Sequence, residues 1–66
     1  MYTTLELMRL AFYAAHYARL EKAGGADPST MIEAAHYYLN RLYKMDYADF
    51  VNTIKIVEGI LKGVEG

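Results

Sequence analysis

The sequence predicts an all-α fold: a three-helix hairpin or bundle, with helices at about 3–23, 28–45 and 47–62, completed by homo-oligomerisation. Three observations predict it. Apolar residues recur at three- and four-residue spacing in three segments, and no segment alternates like a strand. Each segment opens on helix-capping chemistry, and Gly24-Gly25 with Asp27-Pro28 separates the first two. The first segment is apolar around most of its girth, more than a helix with one covered stripe requires.

The first helix starts at Thr3-Thr4-Leu5-Glu6, a capping box in which the Thr3 hydroxyl and the Glu6 carboxylate each take an orphan backbone N–H. Tyr2 and Leu7 occupy the two positions of a hydrophobic staple. Gly24-Gly25 stops the helix, and Lys22 suits the negative end of its dipole. Leu7, Leu10, Ala11, Ala14, Tyr17 and Ala18 share one side, and Leu5, Met8, Phe12 and Ala15 carry it round a flank. Glu6, Arg9 and His16 form a narrow polar strip.

The second helix opens on Asp27 as N-cap with Pro28 at its first position, and Thr30-Met31-Ile32-Glu33 offers a second box one turn later. Its apolar face is Met31, Ala35, Tyr38, Leu39, Leu42 and Met45. Asp46 caps the third helix, along which Tyr47, Phe50, Ile54, Val57, Leu61 and Val64 make a seam. Ile56 and Ile60 add a second apolar edge. Gly59 weakens the helix, as fraying or as a close-contact point, and Gly63 and Gly66 read as a loose tail.

A chain of 66 residues has room for one domain, residues 1–66. A domain this small buries only about 60% of its unfolded surface, and its core supplies roughly 3–5 kcal/mol. Cysteine is absent, so neither a disulfide nor a Cys-rich zinc site can staple it. Homo-oligomerisation is therefore expected. The surface expected to carry it is Leu7, Leu10, Ala11, Ala14, Tyr17 and Ala18 with Phe50, Ile54, Val57 and Leu61.

A net charge of −1 without a run of either sign gives no basic footprint for nucleic acid. The bend before the third helix resembles a helix-turn-helix, but Asn52, Lys55 and Lys62 are all it would offer a groove. Leu10–Ala18 is too short to span a bilayer, so no membrane is expected. Glu6 stands where an export signal carries positive charge, and a cytoplasmic protein is expected.

Catalysis has little to work with. The Thr3 and Thr30 hydroxyls read as caps, Ser29 falls in a first helical turn, and Gly24-Gly25 is a helix stop rather than a phosphate loop. Glu33-Ala34-Ala35-His36 matches the Glu-x-x-His spacing of ferritin-like di-iron bundles over those four residues. Both side chains point away from the apolar face, so no metal ligand, cofactor or catalytic residue is assigned. Ala-Ala-His-Tyr occurs at 14–17 and 34–37, a short internal echo.

Seven tyrosines are more informative. Tyr17, Tyr38 and Tyr47 fit a half-buried core role, whereas Tyr13, Tyr37 and Tyr43 lie towards polar sides where a core gives no reason for them. With His16 and His36 they form the expected recognition surface, since tyrosine is enriched in protein interfaces. The function expected is a non-enzymatic, self-associating module that binds a larger protein as an accessory, regulatory or inhibitory component. The alternative is an oligomeric binder of a small ligand or nucleotide, its site between subunits and lined by tyrosines with Arg9, Arg19 or Arg41.

Overall fold

A computed structural model describes residues 1–65. Helix α1 spans Thr4–Ala23, α2 spans Ser29–Met45 and α3 spans Tyr47–Glu65. Each helix packs on the other two, so the bundle closes within one chain. No strand occurs among the described residues, and no helix there is long and apolar enough to cross a membrane.

Local chemistry sets each boundary. At the start of α1, Thr3 Oγ1 accepts from the Glu6 N–H at 3.1 Å, and Glu6 Oε1 accepts from the Thr3 N–H at 2.9 Å. At its end, Gly25 adopts φ 84°, the left-handed position that a Cβ would strain. The Ala26 N–H reaches Glu21 O at 2.8 Å and the Gly25 N–H reaches Lys22 O at 3.1 Å, the paired bonds of a Schellman stop. Asp27 Oδ1 accepts from the Ser29 N–H at 3.0 Å and the Ser29 hydroxyl at 2.6 Å. The regular helix begins at Ser29, one residue later than Asp27-Pro28 suggests, and Thr30-Glu33 forms no box. Asp46 alone is the bend between α2 and α3; it is extended, at φ −153°, and its Oδ1 accepts from the Asp49 N–H at 3.0 Å.

The third helix is longer than expected. Rather than trailing off at 62, α3 continues through Gly63 to Glu65, and Gly66, the other residue of the expected tail, lies outside the described residues. Val64 is buried, and its carbonyl accepts from Lys22 Nζ, which ties the end of α3 to the last turn of α1. Tertiary contacts hold a turn that glycine by itself disfavours. Gly59 is neither a fraying point nor a close contact within the chain, because a Cβ there would meet nothing within 4 Å.

The core is built from small residues on α1 and larger ones opposite. Ala11, Ala14, Ala15 and Ala18 on α1 and Ala35 on α2 are buried, and Leu39, Val57 and Leu61 fill the space between the axes. Leu7 and Leu42 are fully buried as well. The expected interface is corrected here. Leu7, Ala11, Ala14, Ala18, Val57 and Leu61 lie inside the chain's own core, while Leu10, Phe50 and Ile54 are half-buried. A closed bundle cannot also present those side chains to a second copy. Of the ten, Tyr17 alone is exposed.

The caps also couple stability to pH. The Thr3 backbone N–H, then the Thr3 hydroxyl, holds the Glu6 carboxyl below its ordinary range. The Ser29 hydroxyl, then the Ser29 backbone N–H, does the same for Asp27. A carboxylate whose folded pKa is depressed adds stability above its unfolded value, about 4.3 for Glu and about 3.9 for Asp. That contribution is lost as pH falls through the folded value. In melts between pH 6 and pH 3, Glu6→Gln should therefore lose less stability on acidification than the parent. Parallel curves would remove Glu6 as a source of the acid sensitivity. Thr3→Ala should cost about 1 kcal/mol at pH 7.

Candidate interaction surfaces

Two apolar edges that the core leaves uncovered meet between α1 and α3. Leu5, Met8 and Phe12 lie three and four residues apart, so they share the flank of α1 that faces α3. Asn52, Thr53, Ile56 and Val57 complete a groove of about 370 Å³. Its walls are open to solvent, with Leu5 53%, Phe12 40% and Ile56 57% exposed. Arg9 and Tyr13 also line it. Thr53 is buried to 6% exposure, and its hydroxyl has no hydrogen-bond partner among the described residues.

The second surface lies where α1 pairs with α2. Tyr38 is its centre. The Tyr2 ring meets Tyr38 edge-on at 6.0 Å between centroids, and the Tyr37 ring does so at 5.4 Å. Tyr13 and Tyr17 join Tyr38 around a shallower groove of about 180 Å³ with Leu10, Ala14, Met31 and Ala34. The Arg41 guanidinium stands 5.8 Å from the Tyr2 and Tyr37 ring centroids and donates to the Tyr37 hydroxyl at 3.3 Å. Cation–π contact at an exposed site is worth about 0.5–1 kcal/mol. Five tyrosines and one arginine therefore occupy a single face.

The five expected recognition residues do not share a surface. Tyr13 sits on the ridge between the two grooves and Tyr37 belongs to the tyrosine face. His16 stacks on Phe12 at 6.4 Å, and Arg19 Nη2 donates to its Nδ1 at 2.6 Å. His36 Nε2 faces Glu65 Oε1 at 3.7 Å. Tyr43 clusters with Tyr47 and Phe50 around the α2–α3 bend, at 5.6 and 5.1 Å. Helical spacing gives an angle about one axis and does not say which neighbouring helix lies at that angle. Tyr2 and Tyr38 join the tyrosine face although a staple and a core position already account for them in the sequence.

Among the described residues, no three His, Asp or Glu side chains gather as a metal would need, and Glu33-x-x-His36 stands on an exposed face. Of the two carboxyls with lowered pKa values, Glu6 belongs to the α1 capping box and Asp27 to the turn before α2, where Ser29 bonds it. No protein-family model, curated protein or solved structure matches the chain.

Proposed function

We propose that the protein is a non-enzymatic helical module that self-associates and docks on a larger protein as an accessory or regulatory component. The observation that carries this reading is the collection of Tyr2, Tyr13, Tyr17, Tyr37 and Tyr38 with Arg41 on the α1/α2 face. Tyrosine and arginine are the residue types that anchor protein interfaces, because each offers large, preorganised contact area with a polar end. Tyr17 is 61% and Tyr37 53% exposed, so their rings have no sufficient role inside the bundle.

A photo-reactive phenylalanine analogue placed at position 17 or 37 in cells tests the reading. A discrete adduct heavier than two copies of the chain is expected at both positions and not at position 62, which lies on α3. Adducts limited to the chain itself, or equal capture at position 62, would overturn it.

A further inference from the structure

The groove between α1 and α3 is lined by one charged side chain, and it is a cation. Leu5, Met8 and Phe12 form the wall on α1, Ile56 and Val57 the wall on α3, and no acidic residue joins them. Arg9 stands on the α1 side and Asn52 on the α3 side, both exposed.

Arg9 differs from the other arginines of the chain. Arg19 donates to His16, and Arg41 donates to Tyr37 and lies beside two tyrosine rings. Among the described residues the one ion pair joins His36 to Glu65, so no carboxylate answers the charge of Arg9. Glu6, one turn before it, accepts from the Thr3 N–H instead. A guanidinium without a partner therefore borders the largest apolar groove described above, and it matches an anion rather than a neutral or cationic group.

The dimensions narrow the class further. The groove encloses about 370 Å³, and sites for small molecules run from about 300 to about 1,000 Å³. From Leu5 to Phe12 the helix rises about 10 Å, so the trough is long enough for a straight hydrocarbon chain. Met8 is an unbranched side chain that adapts to an irregular occupant. A single guanidinium pairs both oxygens of a planar carboxylate through parallel hydrogen bonds. A phosphate dianion calls for more positive charge than one arginine supplies.

We propose that the α1/α3 groove binds a medium-chain fatty acid, with its hydrocarbon chain along Leu5, Phe12 and Ile56 and its carboxylate on Arg9. The Asn52 amide, across the groove, supplies a second donor to the same headgroup. This site lies apart from the tyrosine face and does not depend on it. Occupancy covers Leu5 and Ile56, which are 53% and 57% exposed in the free chain.

Calorimetric titration of the full chain at pH 7 with decanoate, below its micelle concentration, tests the proposal. One molecule per chain is expected, with a helical far-ultraviolet spectrum throughout. Shortening the chain to octanoate should weaken binding by up to roughly fourfold for each methylene that the groove covers. Decylamine, with the opposite headgroup charge, should bind more weakly than decanoate. Arg9→Gln should weaken decanoate roughly threefold to fivefold, the size of a solvent-exposed ion pair, and should not weaken decylamine. Ile56→Asn should weaken both ligands about tenfold while the chain stays helical, and Tyr17→Ala, on the other face, should change neither. Heats that do not saturate, equal affinity for the two headgroups, or unchanged binding by Ile56→Asn would each overturn the site. Capture by phosphatidylglycerol vesicles without binding of dissolved decanoate would overturn it in favour of a membrane surface.

Discussion

Ala18→Glu should abolish the fold at 25 °C, while Tyr17→Glu, one residue away on the same helix, should leave it standing. Ala18 is fully buried in α1 and Tyr17 is 61% exposed, so the pair separates burial from helix propensity. The cation one turn on, Lys22, already donates to the Val64 carbonyl, and burying an ion costs several kcal/mol even after relaxation. Against that stands a core that supplies roughly 3–5 kcal/mol. The loss exceeds the supply. From the sequence, such a substitution would be expected to dissociate or unfold the protein; with Ala18 inside the chain, unfolding is the specific outcome. Far-ultraviolet circular dichroism reads it directly, and a helical Ala18→Glu chain would refute the placement of this core.

Leu7→Ala should leave a chain at the edge of stability. Leu7 is among the largest fully buried side chains, and it follows directly on the capping box that starts α1. Truncating a buried leucine removes its transfer energy and leaves a void, for a loss of about 2.7–5 kcal/mol. Even the lower figure consumes most of what so small a core provides. Leu20→Ala is the control: it sits on the same helix at 53% exposure and should change stability by about 0.5 kcal/mol or less. Urea denaturation at one fixed protein concentration compares them, since association would shift apparent stability with concentration. Equal losses at positions 7 and 20 would contradict the burial.

The helix boundaries were the most legible part of the sequence. Thr3 with Glu6, Gly25, Asp27 and Asp46 act through hydrogen bonds or backbone angles within a few residues, so the chain carries that information locally. The end of α3 was not legible. Gly63 favours a frayed tail, and the burial of Val64 with its contact to Lys22 outweighs that local preference from across the bundle.

The surfaces divide in the same way. Periodicity identified Leu5, Met8, Phe12 and Ile56 as apolar edges outside the main seams, yet it could not show that they face one another. It assigned Leu7, Ala11, Ala14, Ala18, Val57 and Leu61 to contacts between copies, because an apolar stripe looks the same whether its own chain or another covers it. By itself the sequence determined three capped helices and which side of each is apolar. Only the tertiary structure decided which stripes seal the core, and that Tyr2 and Tyr38 join Tyr13, Tyr17 and Tyr37 on one face. The reason is geometric: a residue's angle about its helix is local, whereas the helix that stands opposite is set by how all three pack.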